Sequence, residues 1–488
     1  MSALSSILLK SSSLLLVAKS FQRALGLISI IVLARLLTPE DFVVVAISAL
    51  VLYFCDALST SGSEPYLIRK TAVSDADANS AWTLDIALKG TVFVVLNLAA
   101  PWIADAYEDD RLAPVLHVVS FTLLLNAVRS PGLFLLKRTL KYGAITRLLI
   151  FQKLVAFVVT LSIAAVFQSY WALVIGDLVA ASVMAIGSYL VHPFRPGFTC
   201  VAWREQWWFS RWLLIKANLG YAKAQVDVFF VTRLFSDEAV GAFYLTRNLS
   251  VIPSNDVIWP AVEPLLVPLS QNRDRPDIFR LQLQKVLLAV ALLAIPITVF
   301  MAAQPEAFID FMFGSQWVAA YPLLPPLMLV FFTMAFSQIL TQVFTALGRV
   351  KALMVFEAGS LLMLIMVLFW VRNSNIEEFV TYRAWLAVAL VGGFYWYLSR
   401  QIRLPLFTVV CRWLPIFAVA ALSAWLAGLL EPDLLKTMGN GRLLVLGTVF
   451  VLCYGAFTLL VLWFGQRYWV EYRFVWALIA ERLASFRS

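Results

Sequence analysis

Charged side chains interrupt otherwise apolar stretches at Lys19, Arg23, Asp56, Asp85, Lys89, Lys216, Lys223, Asp227 and Arg247. An ionised group facing lipid costs at least ~2.5–3.5 kcal/mol, so it turns toward a watery interior or an opposite charge. Lys19 and Arg23 stand four apart and project from one helical face, as do Asp85 and Lys89, which can pair. Lys216, Gly220, Lys223 and Asp227 make a polar stripe, and Arg247 has Asn248 beside it. Such cations can hold an anion through charge-assisted hydrogen bonds, Arg by its planar fork and Lys as a movable point charge. Asp56, Asp85 and Asp227 are the matching candidates for coupling to a cation. The competing reading is that these groups pair with one another and glue helices together. The cations outnumber the carboxylates of the same spans, which favours an anion-binding cavity.

The positioning elements are apolar runs of about 20 residues, the length that crosses a ~30 Å hydrocarbon core. Fourteen fall at 13–37, 42–62, 82–104, 112–135, 144–167, 170–191, 207–234, 239–262, 281–303, 323–347, 352–371, 379–399, 409–430 and 442–464. The first is too long for a signal-peptide core and contains Lys19 and Arg23, so it reads as a permanent helix. With 488 residues, 61% hydrophobic, 14% charged and a mean hydropathy of +0.84, the chain is excluded from the soluble enzymes. Its net charge of +9 reflects basic loops on one side of a membrane and does not point to nucleic acid. On this span count nineteen loop Lys and Arg residues share one side, against Arg111, Arg372, Lys436 and Arg442 on the other. The asymmetry predicts cytoplasmic termini. Cys55, Cys200, Cys411 and Cys453 lie far apart, suggesting neither a disulfide framework nor a metal site, and His117 and His192 read as packing residues. Beyond Gly465, Trp469, Tyr472, Trp476, Ile479, Leu483 and Phe486 recur at three- and four-residue steps away from Glu471 and Glu481. This is the pattern of an interfacial amphipathic helix.

Two stretches match at an offset of 198 residues: Val32 to Glu40 aligns with Phe230 to Glu238, keeping the Arg, the following Leu, a small hydroxyl residue and the Glu. One residue out of step, Glu64-Pro65 echoes Glu263-Pro264. The repeat implies two parallel six-helix units, related by an axis along the membrane normal. The expected division is a lobe over 1–200, a second over 201–403, and two further helices with an amphipathic tail over 404–488.

The run Leu33-Ala34-Arg35-Leu36-Leu37-Thr38-Pro39-Glu40-Asp41-Phe42, with Gly241-Ala242-Phe243-Tyr244 and the stretch from Phe313 to Ala320, carries a family resemblance. The chain resembles polysaccharide and oligosaccharide flippases of the multidrug/oligosaccharidyl-lipid/polysaccharide exporter superfamily, in the colanic-acid and teichuronic-acid exporter branch. One departure is Val43, where that family usually has Gly; its repeat mate Gly241 keeps it. The resemblance implies an all-α polytopic fold with a central cavity between lobes. It implies alternating-access translocation of a polyprenyl-pyrophosphate-linked oligosaccharide across a bacterial inner membrane for surface polysaccharide synthesis. It names the lipid-linked sugar and the bilayer as partners, with polysaccharide polymerase or export machinery a further candidate. No enzyme activity and no cofactor are expected. Without a P-loop, the energy would come from membrane potential or a coupled cation. A cation-coupled multidrug exporter is the runner-up; it would call for an acidic or aromatic cavity and only twelve helices. A polysaccharide polymerase or ligase would need a large outer loop with catalytic residues, and no segment offers one.

Overall fold

The segment Thr38-Pro39-Glu40-Asp41 starts a helix for local reasons. The Thr38 hydroxyl accepts from the Asp41 N–H at 3.3 Å, the Asp41 carboxylate accepts from the Thr38 N–H at 3.1 Å, and Pro39 occupies the first turn. In the computed structural model the described residues are 21–485, leaving out 61, 71–72, 139–141, 255–257, 259–271, 273, 348 and 430–440. These residues are helical and contain no strand. They form two units, Met1–Gly241 and Ala242–Ser488.

The first unit contains α1 (residues 21–36), α2 (Pro39–Leu58), α3 (Ser63–Arg69), α4 (Asp75–Tyr107), α5 (Leu112–Ala127), α6 (Gly132–Arg138), α7 (Tyr142–Phe167), α8 (Trp171–Val191) and α9 (Trp203–Leu234). It also includes the start of α10 (Asp237–Pro253). A second capping box, Ser74 with Asp77, opens α4, whose 33 residues reach about 50 Å at 1.5 Å per residue. That is well beyond a bilayer core, so α4 extends past it, with Asp85 and Lys89 inside the apolar run 82–104 and Asp75 and Asp77 before it. The span predicted over 112–135 is broken. Helix α5 stops at Ala127 because Pro131 lacks an N–H and disfavours helical geometry at Ser130. The exposed ends are recaptured by α8: Tyr189 donates to the Val128 carbonyl at 2.6 Å, and the Ser130 N–H donates to the Ser188 hydroxyl at 2.9 Å. Helix α9 packs on α2 through Tyr221, which donates to the Leu50 carbonyl at 2.5 Å, and Asn218, which donates to the Ala57 carbonyl at 3.1 Å.

The second unit contains α11 (Pro276–Ala303), α12 (Pro305–Met312), a 3-10 turn (Ser315–Ala320), α13 (Leu324–Ala346), α14 (Val350–Trp370), α15 (Ile376–Ile402), α16 (Leu406–Cys411), α17 (Leu414–Leu429), α18 (Gly441–Gly465) and α19 (Val470–Ser485). Stacked rings dominate its packing: Phe356 and Phe344 flank Phe394 at 3.8 and 4.4 Å, and Phe300 stacks on Phe450 at 4.5 Å. The span predicted over 409–430 is interrupted at Arg412-Trp413. That break receives the tail helix. Arg412 pairs with Glu471 at 2.6 Å, and the buried Tyr472 donates to the Arg412 carbonyl at 2.6 Å. The heptad-like pattern places Glu471 on the polar side; the structure turns it inward because Arg412 waits at the break.

Nine described spans are long and apolar enough to cross a membrane, and Leu112–Ala127 is a shorter apolar helix. The predicted spans 13–37, 239–262 and 409–430 run in part into residues outside those described.

Candidate functional site

Polar chemistry at membrane depth in the first unit gathers where α2 ends beside α4. The last turn of α2 carries Asp56, whose carbonyl is capped by the Thr60 hydroxyl at 2.9 Å. Lys89 of α4 places its Nζ 3.6 Å from Asp56 Oδ1, with Asp56 half exposed and Lys89 largely covered. Lys89 therefore meets Asp56 across two helices and not Asp85 on its own helix, which corrects the intrahelical pairing. At 3.6 Å the contact is an ion pair beyond direct hydrogen-bond range. Its ammonium donors remain open to a better acceptor.

Arg129 completes this group from the α5–α6 break. Its guanidinium interacts electrostatically with Asp56. Its Nε is sealed from solvent and, among the described residues, has no hydrogen-bond partner. A buried unsatisfied donor on a charged group is costly and calls for an acceptor. Two cations and one carboxylate thus leave this group with a net positive charge.

Beside this cluster a hydrogen-bonded network ties α3, α4 and α9 together. Ser63 of α3 donates to Asp85 Oδ1 at 3.0 Å and accepts from Gln206 of α9 at 2.7 Å. Asp85 is therefore tied to α3. Lys70 joins three elements, donating to Asp77 at 2.8 Å, Glu205 at 2.9 Å and the Tyr66 hydroxyl at 3.1 Å. Those bonds raise the Lys70 ammonium above its usual range, Asp77 contributing most. Lys137 of α6 meets Glu64 of α3 at 2.5 Å.

The other candidates are more dispersed. Arg23 is half-buried on α1, which packs on α7 through Gln22 donating to the Leu149 carbonyl at 3.0 Å. Lys223 is half-buried and Asp227 buried on α9; the Asp227 carboxylate accepts from the Val228 N–H at 2.9 Å. Arg247 is half-buried on α10 in the second unit. Lys19 and the Lys216 side chain lie outside the described residues.

Two charged residues escape the sequence reading. Arg129 sits inside the span predicted over 112–135, and only the following Ser130-Pro131 signals that the helix breaks there. Asp177, in the span over 170–191, faces Lys153 of α7. Its residue is exposed at the surface of the chain. The rule that flagged Asp85 would have flagged it too.

Comparison with known proteins places this geometry in context. Residues 32–322 match the family described as polysaccharide biosynthesis protein. The lipopolysaccharide biosynthesis protein WzxC of Escherichia coli (strain K12) is 22% identical over 63% of this chain and 63% of its own length. The teichuronic acid biosynthesis protein TuaB of Bacillus subtilis (strain 168) is 21% identical over 78% of this chain and 77% of its own. The chain thus spans less than two thirds of the length of the E. coli relative. Among solved structures, the lipid II flippase MurJ in an inward closed conformation superposes with a TM-score of 0.75 at 13% identity, covering 91% of this chain and 97% of MurJ. An inward-facing multidrug resistance MATE transporter of the MOP superfamily gives 0.57 at 12% identity, over 78% and 95%. The fold is therefore that of these all-α polytopic membrane proteins, with nine apolar spans among the described residues. With more than half its length matched, this chain is a member of the polysaccharide biosynthesis protein family.

Proposed function

We propose that this protein is a flippase. It carries a polyprenyl-pyrophosphate-linked oligosaccharide from the cytoplasmic to the outer leaflet of a bacterial inner membrane, by alternating access of lobes at 1–200 and 201–403, with both termini cytoplasmic. The observation that carries the proposal is the Arg129 guanidinium, whose buried Nε lacks a hydrogen-bond partner among the described residues, drawn to the same Asp56 that Lys89 meets loosely at 3.6 Å. A pyrophosphate oxygen entering there accepts from Arg129 and takes over Lys89, compensating a charge that could not cross hydrocarbon alone. Asp56 is then left without its counter-ion and takes a proton or metal cation, which couples substrate loading to cation movement. Arg23, Lys216, Lys223 and Arg247 extend the basic lining in this reading; Asp85 and Asp227 are further coupling candidates. Support for the substrate class comes from the relatives named for lipopolysaccharide and teichuronic acid biosynthesis and from the lipid II flippase fold. No catalytic role is assigned to any residue, and a polysaccharide polymerase or export apparatus is the proposed downstream partner.

The test uses a strain whose surface polymer depends on this protein, carrying Arg129→Ala, Arg129→Lys or Lys89→Ala. Each Ala variant is expected to lower polymer at least about tenfold, equivalent to ~1.4 kcal/mol of barrier, with lipid-linked intermediate accumulating and membrane protein levels unchanged. Arg129→Lys should fall between them and the parent. Undiminished polymer in both Ala variants would discard the anion site. Loss of polymer without accumulated intermediate would discard the flippase step.

A further inference from the structure

We propose that the groove between α14 and α15 binds one anionic phospholipid, its phosphate on Arg349 and Lys351 and an acyl chain lying along the helices. The groove encloses about 870 Å³, within the ~300–1,000 Å³ range of small-molecule sites. Its walls are apolar along Val355 and Met363 of α14 and Leu386 of α15. The floor is open at Gly393, where an added Cβ would meet nothing within 4 Å. Behind it, Phe394 is clamped between Phe344 and Phe356, so the wall is rigid and preformed.

Charge and length select the occupant. Both cations lie at one end of the groove, are exposed, and form no ion pair among the described residues. Arg349 donates to Gln401 at 2.5 Å, which fixes the guanidinium at the mouth with other N–H groups still available. From Lys351 to Met363 is twelve residues, or ~18 Å of helix. That is close to the ~15 Å depth of one leaflet's hydrocarbon, half of a ~30 Å core. A phosphate at the interface with a chain descending one leaflet matches both dimensions.

The first unit carries an unfinished counterpart. A groove of about 500 Å³ runs between α7 and α8 with Arg147 at its edge. There the glycine position is filled: a Cβ on Gly187 would lie 2.2 Å from Leu148. One cation and a closed floor make it the internal control.

The experiment is native mass spectrometry of the full chain with equal amounts of phosphatidylglycerol and phosphatidylcholine of identical acyl chains. At ~1 kcal/mol for each basic residue near an anionic headgroup, the parent should retain phosphatidylglycerol roughly tenfold or more over phosphatidylcholine. Arg349→Gln with Lys351→Gln should bring the ratio near one, and Arg147→Gln should leave it unchanged. Gly393→Trp should reduce retention of both lipids by filling the groove with the cations intact. If that variant fails to fold, the exposed charge pair decides the matter alone. Equal retention of the two lipids by the parent, or an unchanged ratio in the double variant, overturns the site. Displacement of phosphatidylglycerol by an equal amount of polyprenyl phosphate overturns the choice of occupant.

Discussion

Two ion pairs, one in each unit, hold charge in opposite ways. In the first, Lys89 and Asp56 meet at membrane depth, 3.6 Å apart, with Asp56 49% exposed. In the second, Arg412 meets Glu471 at a helix break, 2.6 Å apart, with Glu471 5% exposed. The loose, wet pair can exchange partners; the tight, dry pair cannot without leaving a charge stranded. Repeated scaffolds therefore need not repeat chemistry. Where the first unit builds a network of Ser63, Asp85 and Gln206 between helices, the second builds the Phe356–Phe394–Phe344 stack.

Breaking the second pair should have the largest effect on stability. Arg412→Met leaves the Glu471 carboxylate buried with no counter-ion, a loss of about 3–5 kcal/mol for such pairs. Thermal unfolding in detergent should show it, and the tail from α19 should become open to protease. Adding Glu471→Leu should restore most of the loss, since an apolar replacement removes the stranded charge. Lys89→Ala is the contrasting case: stability changes by under ~1 kcal/mol, as for exposed pairs, while transport falls. If Lys89→Ala unfolds the protein and Arg412→Met does not, the contrast between the two pairs is wrong.

The two starts of the repeat sharpen the comparison at a smaller scale. Gly241 opens α10 against the start of α2: a Cβ there would lie 2.6 Å from the Pro39 carbonyl oxygen. Its repeat mate Val43 is buried with its side chain accommodated. The glycine is thus required on one side of the contact only, which explains the departure at Val43. Gly241→Ala must push backbone apart and should cost about 1–3 kcal/mol, the range for overpacking. Val43→Ala should cost a similar amount through a cavity, without moving α10. Equal stability of Gly241→Ala and the parent would mean the approach is looser than described.

What the sequence reveals and what it hides follow from the reach of side chains. Helix starts carry local signals three residues apart, Thr38 with Asp41 and Ser74 with Asp77, yet spans drawn from hydropathy begin at 42 and 82 and so miss the polar first turns. Intramembrane charges were legible as residue types in apolar runs. Their partners were not: four-residue spacing puts Asp85 and Lys89 on one face, yet Lys89 reaches Asp56 and Asp85 takes Ser63. Helices α3 and α6, of seven residues each, escape windows sized for a bilayer: α3 falls between the predicted spans 42–62 and 82–104, and α6 overlaps the end of the one over 112–135. Arg129 was hidden by the same averaging, and Glu471 by a periodicity that registers its own helix but not the break at Arg412.

The smallest expected effect lies in the loop between α4 and α5. Asp109 accepts from the Arg111 guanidinium at 2.8 Å and from the Arg111 N–H at 3.0 Å. Burial alone would raise the Asp109 carboxyl, but these bonds outweigh it and hold the group below its ordinary range. The folded chain thus binds this proton less readily than the unfolded one. The pair's contribution is whole above the ordinary carboxylate value of ~3.9 and fades as pH falls through the lower folded value. With Arg111 39% exposed, solvent screening keeps the contribution under ~1 kcal/mol. Asp109→Asn should therefore leave unfolding nearly as in the parent at pH 3 and lower the midpoint slightly at pH 7. A larger deficit at pH 3 than at pH 7 would reverse the sign and show that burial, not Arg111, governs this carboxyl.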